Sequence, residues 1–132
     1  MAKKDSLLYI GGTNRYIEVY DVAADGSEAP FVTSYGDSTS YNMPYHMLAD
    51  GYLLYTSGVK QIRVFDISDP LDIDLKGYYT HESSESAKIY KDICVLDSFI
   101  VALGSSGLHD TVTITIAKYS AGGSGNCETV FN

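Results

Sequence analysis

Four aspartates between positions 66 and 74 are the strongest candidates for ligand chemistry in this sequence. They are Asp66, Asp69, Asp72 and Asp74. Closely spaced carboxylates supply the hard oxygen ligands that Ca²⁺ prefers. The segment lacks the glycine and the terminal glutamate of a calcium loop, and aspartates also stabilise turns by bonding their own backbone. We therefore expect a turn here, with a weak Ca²⁺ site as the alternative and no other cofactor.

The three histidines form no catalytic or metal-binding pattern. His81 opens a His-Glu-Ser-Ser-Glu segment that resembles a zinc motif but lacks a second histidine and a helix to carry both ligands. His46 lies within an apolar strand pattern, and His109 lies in a hairpin insertion. No serine stands in a nucleophile elbow. We predict no catalytic residue and a protein that is not an enzyme.

Composition indicates one soluble β-rich domain over residues 1–132. Twelve Tyr and 12 Gly among 132 residues suit pleated strands and turns. A net charge of −8 argues against nucleic acid as a partner, because phosphate binding needs clustered Lys and Arg. No apolar run approaches the ~20 residues of a membrane span, and no signal peptide is visible. We expect a cytoplasmic or virion-associated protein, or an extracellular one if a leader has been removed.

One short pattern recurs three times at equal spacing. An apolar run followed by glycine begins at Leu7, Leu53 and Phe99, which are 46 positions apart. Further strand patterns follow each copy, so that each repeat holds about four short strands. The units run over residues 7–44, 45–86 and 87–132. A repeat of about 40 to 50 residues with four strands is typical of a β-propeller blade.

The middle repeat resembles a known family. It reads Arg63-Val64-Phe65-Asp66-Ile67-Ser68-Asp69-Pro70, followed by a strand that ends Gly77-Tyr78-Tyr79. This pattern is similar to the LVIVD repeat of bacterial and archaeal β-propeller proteins. The resemblance implies a propeller fold and a surface or secreted protein without an assigned reaction.

The number of units poses a problem for folding. The first unit is expected to lack its innermost strand, because residues 1–6 are short and polar. Three blades cannot close a ring, since propellers typically have 4 to 8. The fold class we predict is therefore all-β, with β-propeller-like blades of four antiparallel strands in an incomplete ring. A compact β-sandwich is the alternative.

Exposed edges and faces of unfinished sheets favour association. We expect a homo-oligomer, most simply two chains giving six blades, or docking on a larger assembly. The predicted function is a non-enzymatic structural or protein-interaction module, for example in a virion. The alternatives are a surface propeller that binds sugar or peptide, or a fragment of a longer propeller protein.

Tyrosines are the candidates for the interaction surface, because they add contact area at low entropic cost and carry a polar tip. The candidates are Tyr16, Tyr20, Tyr35, Tyr41, Tyr45, Tyr78 and Tyr79.

Overall fold

The computed structural model describes residues 1–11, 16–36, 44–59, 61–80, 88–97, 99–106, 109–119 and 128–131. These residues form strands and turns. They contain no helix of the length and apolar character that a membrane crossing requires. The prediction of an all-β chain is confirmed.

The described residues form twelve strands in three sheets, and in each sheet every strand pairs antiparallel with its neighbour along the chain. Sheet 1 consists of β1 (Ala2–Lys4), β2 (Leu7–Gly11), β3 (Tyr16–Asp21) and β4 (Phe31–Gly36). Sheet 2 consists of β5 (Pro44–Asp50), β6 (Leu53–Gly58), β7 (Gln61–Asp66) and β8 (Asp74–Thr80). Sheet 3 consists of β9 (Lys88–Leu96), β10 (Phe99–Ser106), β11 (His109–Lys118) and β12 (Glu128–Phe131). The predicted four-stranded antiparallel units are therefore present in all three repeats.

The expectation that the first unit lacks its innermost strand is wrong. β1 pairs with β2, and Lys4 faces Leu7 across a loop of only two residues. Asp5 adopts a φ of 53° in this loop, and Gly51 and Asp97 adopt 58° and 54° at the corresponding loops of sheets 2 and 3. A positive φ suits the tight turn of a hairpin whose strands twist. The short segment can form such a strand because its backbone pairs with β2 and its Ala2 side chain is buried in the core between sheets 1 and 2.

The three sheets are stacked in chain order. Strands β1 and β2 contact β5, and strands β5 and β6 contact β9. One apolar core lies between sheets 1 and 2 and includes Tyr9, Leu54 and Phe65. A second core lies between sheets 2 and 3 and includes Tyr55 and Ile100. Sheet 2 is thus covered on both faces, which explains why the residues of β6 and β7 are nearly all buried.

Sheets 1 and 2 approach closely where β2 ends and β5 begins. A Cβ atom added to Gly11 would lie 2.5 Å from Cγ of Pro44 and 3.0 Å from Sδ of Met47. Only a residue without a side chain lets the two backbones meet at this distance. Gly11 therefore sets the spacing of the first pair of sheets.

Candidate interaction surface

Strand β11 places its large apolar side chains outward and its small side chains, Thr115 and Ala117, inward. Val112 and Ile114 are 65% and 46% exposed, whereas Thr115 and Ala117 are fully buried against sheet 2. Oγ1 of Thr115 lies 3.3 Å from the buried hydroxyl of Tyr90. A sheet with one face in water normally shows the opposite pattern, with apolar residues inside and polar residues outside. The outward side of β11 is therefore apolar, where a solvent-facing side is ordinarily polar.

Neighbouring strands extend this outward apolar face. Val101 lies opposite Cys94, and Leu103 lies opposite both Asp92 and Ile114. A depression of about 150 Å³ is lined by residues of β9, β10 and β11. We call this surface the sheet-3 open face; its exposed apolar members are Cys94, Leu96, Phe99, Leu103, Val112 and Ile114, and its exposed charged members are Asp92 and Lys118.

The opposite end of the stack also presents a partly apolar face, on sheet 1. Leu8 lies opposite Lys3 and Tyr20, and Ile10 lies opposite Glu18. The hydroxyl of Tyr20 donates a hydrogen bond of 2.9 Å to Glu18, and this bond raises the pKa of Tyr20. We call this surface the sheet-1 open face; it consists of Lys3, Leu8, Ile10, Glu18, Tyr20 and Phe31. Phe31 is 57% exposed and meets the ring of Tyr20 edge-on.

The candidate tyrosines do not share one surface. Tyr35 packs edge-on against Phe65, with 5.0 Å between ring centroids, in the core between sheets 1 and 2. Tyr79 packs against the core between sheets 2 and 3. Both side chains are half-buried and contribute to packing between sheets, and their role in an interaction surface stays a prediction.

The remaining tyrosines are dispersed. Tyr45 and Tyr78 are 42% and 44% exposed on sheet 2, and Tyr20 lies on the sheet-1 open face. Tyr41 and the side chain of Tyr16 lie outside the described residues. Within the described part of the chain, Tyr20 is therefore the one candidate on a face at an end of the stack.

The acidic segment forms turns in the structure. Oδ1 of Asp66 accepts a 2.8 Å hydrogen bond from the backbone N–H of Ser68. Hydrogen bonding from the side chain of Ser68, together with this backbone bond, holds the pKa of Asp66 below its ordinary value. Oδ1 of Asp69 accepts a bond of 2.9 Å from the N–H of Leu71. The N–H of Asp72 donates to the carbonyl of Asp69, and Asp74 pairs with Lys76 at 2.6 Å. Three of the four carboxylates thus have protein partners, as the turn interpretation predicts.

Metal-ligand geometry is not found among the described residues. No three His, Cys, Asp or Glu side chains there are grouped so that they could hold an ion. His46 is half-buried in β5, while His81 and the side chain of His109 lie outside the described part of the chain.

A second depression lies at the β1–β2 hairpin. Its volume is about 450 Å³, and it is lined by Lys3, Asp5, Ser6, Val22, Ala23, Ala24 and Gly26. Lys3 and Asp5 are exposed, so they remain hydrated. Ligand sites normally combine apolar walls with a few oriented polar groups. Here Val22, Ala23 and Ala24 supply an apolar wall, but the polar lining side chains of Lys3, Asp5 and Ser6 are all exposed and are not oriented by burial.

Comparison with known proteins identifies a fold and no family. No family model and no curated protein matches the sequence. Among solved structures, a hypothetical selenium-binding protein from Sulfolobus tokodaii matches 93% of this chain, with a TM-score of 0.65 and 11% identity. The chain spans only 36% of that protein's length. At this identity the likeness shows the fold alone, so selenium binding is a property named for that protein.

The sequence predicted exposed faces on unfinished sheets, but it did not identify the residues that form the sheet-3 open face. Its signal was present in β10, where Phe99, Ile100, Val101, Ala102 and Leu103 form an unbroken apolar run. Such a run is typical of a strand that is covered on both faces.

Proposed function

We propose that this chain is a non-enzymatic assembly module, built from β-propeller-like blades similar to LVIVD repeats, that binds protein through the open faces at the ends of its stack. The outward apolar side of β11 carries the proposal. Val112 and Ile114 lie in solvent while Thr115 is buried beneath them. Large exposed apolar surface on a soluble chain is typical of an interaction site.

The propeller arrangement is supported by the equal repeats and by the order of packing. Each sheet contacts the next sheet along the chain. The structural neighbour contains the same arrangement within a chain of which 36% is matched. In a propeller, the face left open on sheet 3 is the place where the next blade packs.

A protein partner fits the sheet-3 open face better than a small ligand does. The depression on this face has a volume of about 150 Å³. Small-molecule sites usually enclose roughly 300–1,000 Å³. A broad apolar surface with a shallow depression instead suits a second sheet that packs across it.

Photo-crosslinking from Cys94 tests the proposal. A benzophenone maleimide is attached to Cys94 in a Cys127→Ser chain, which is then irradiated in extract of the cells that produce the protein. We expect covalent adducts with protein, including copies of the chain itself. The adducts should disappear when Ile114→Glu is introduced.

A probe at Leu71→Cys, in a chain that also carries Cys94→Ser and Cys127→Ser, is the matched control. Leu71 is 69% exposed on a turn of sheet 2, away from both open faces. Equal adducts from both probe positions, unchanged by Ile114→Glu, would show that the sheet-3 open face does not bind protein.

A further inference from the structure

The two faces of each sheet recur at fixed positions of the repeat. Tyr9 of sheet 1 and Tyr55 of sheet 2 occupy the same repeat position, and each points toward the next sheet along the chain. Val101 occupies this position in sheet 3. Leu54 and Ile100 occupy the adjacent position and point toward the preceding sheet. Leu8 occupies this second position in sheet 1.

Both interfaces inside the chain therefore follow one rule. The side that carries Tyr9 packs on the side that carries Leu54, and the side that carries Tyr55 packs on the side that carries Ile100. The chain makes this joint twice. Two faces of the stack are not packed on another sheet of the described chain. They are the sheet-3 open face, which carries Val101, and the sheet-1 open face, which carries Leu8.

We propose that the sheet-3 open face is covered by the sheet-1 open face of a second copy of this chain, joined head to tail. The inference deepens the proposed function and rests on it. Its basis is continuity with the two internal interfaces, because the second copy repeats a joint that the chain already makes. In this pair Ile114, which is exposed in the single chain, is buried in the interface between copies. Thr115 remains buried on the opposite face of sheet 3.

In a pair of chains, the sheet-1 open face and the sheet-3 open face of each chain can both be covered. A head-to-tail joint made twice about a two-fold axis gives a closed pair without exposed ends. The pair contains six sheets, which lies within the roughly 4 to 8 blades of propeller rings. A joint between two sheet-3 faces would leave both sheet-1 faces uncovered.

Two substitutions, one on each open face, test the head-to-tail joint. Ile114→Glu introduces a charge on the sheet-3 open face, where the side chain is 46% exposed, so the single chain tolerates it. Ile10→Lys introduces a charge on the sheet-1 open face opposite Glu18, where an opposite charge across the strands is favourable. Leu71→Glu is the control, because its exposed side chain lies on neither face. Circular dichroism confirms that each variant is folded.

Light scattering with size-exclusion chromatography then gives the mass of each sample. We expect the wild type and Leu71→Glu at twice the chain mass of 14.4 kDa, and each of the two face variants at the single-chain mass. An equimolar mixture of Ile114→Glu and Ile10→Lys should regain the two-chain mass. In that mixed pair one joint is unaltered, and the other brings the introduced opposite charges onto facing surfaces.

Two results would overturn the inference. One is a wild-type chain of single mass at every concentration, and the other is loss of pairing in Ile114→Glu while Ile10→Lys still pairs. The second result would mean that two sheet-3 faces meet each other. A single-mass wild type whose Cys94 probe still crosslinks to a different protein would leave the proposed function in place. Loss of crosslinking as well would overturn both.

Discussion

Tyr90 is the buried residue with the clearest titratable consequence. Its side chain is fully buried between sheets 2 and 3, and this burial raises its pKa from 10.0 to about 12. The folded chain therefore holds the phenolic proton more tightly than the unfolded chain does. The resulting stability is fully present below pH 10 and is lost as the pH rises toward 12.

Replacing Tyr90 tests this assignment. We expect Tyr90→Phe to lower the melting temperature by about 3–5 °C at pH 7, since losing the bond to Thr115 costs about 1 kcal/mol. We also expect a smaller loss of stability between pH 10 and pH 12 than in the wild type. Thermal melts across this range measure both effects, with the exposed Tyr52→Phe as the control. An unchanged alkaline transition in Tyr90→Phe would contradict the burial argument.

Ser57 is a polar group whose burial is not compensated among the described residues. Its hydroxyl has no hydrogen-bond partner there, and the side chain is 1% exposed beside the core between sheets 2 and 3. We expect Ser57→Ala to stabilise the chain by about 1 kcal/mol, because it removes an uncompensated desolvation cost. Urea denaturation measures the difference. A loss of stability would show that the hydroxyl has a partner in the folded protein.

At the scale of the elements, sheet 3 offers a matched pair of isoleucines on opposite faces. Ile100 is fully buried toward sheet 2, whereas Ile114 is 46% exposed. Under dilute conditions we expect Ile100→Ala to lose about 2–5 kcal/mol. Ile114→Ala should change stability by less than ~0.5 kcal/mol. Equal losses in urea denaturation of the dilute chain would mean that the sheet-3 open face is covered within one chain.

The close approach of β2 to β5 leads to a second prediction about these elements. Gly11→Ala places a methyl group against Pro44, and the added atom would lie 2.7 Å from the Pro44 carbonyl oxygen. We expect a loss of about 1–3 kcal/mol from this overpacking. Ser34→Ala, at an exposed position of β4, is the control for adding an alanine to sheet 1. A Gly11→Ala chain as stable as the control would show that the two sheets can separate without cost.

The strands were largely predictable, and their packing was not. Alternation of residue types and the spacing of Leu7, Leu53 and Phe99 indicate the repeat and its strands. β1 is too short to show such a signal: Ala2, Lys3 and Lys4 pair with β2 through backbone bonds, and only Ala2 adds a side chain to the core. The alternation in β11 was visible, but alternation alone does not say which side is buried. Packing of Tyr90 on Thr115 decides that.

In the acidic segment, too, the sequence predicted the residue types but not which of two structures they form. Asp66 and Asp69 are residues that both turns and calcium sites use, so the sequence left two interpretations. The backbone bonds from Ser68 and Leu71 to these carboxylates explain the segment as turns. Tyr35 and Tyr79 were proposed for a surface, and they pack between sheets because each strand face is covered by the next repeat.

At the scale of the whole molecule, the stack has two ends and no internal means among the described residues of covering them. Each internal joint buries an apolar face, so the same physics favours covering the sheet-3 open face. The net charge of −8 opposes association between copies, and moderate salt weakens this repulsion. Association should therefore be tested in moderate salt.

The accessibility of the Cys94 thiol tests the central claim most directly, because Cys94 is exposed in the single chain and lies on the sheet-3 open face. In a Cys127→Ser chain in moderate salt, we expect the rate constant for maleimide labelling of Cys94 to fall as the chain concentration rises. Ile114→Glu should restore the rate seen at low concentration. The contradicting result is a labelling rate constant that does not change with chain concentration and is equal with and without Ile114→Glu. Such a result would show that this face is not covered by a second copy.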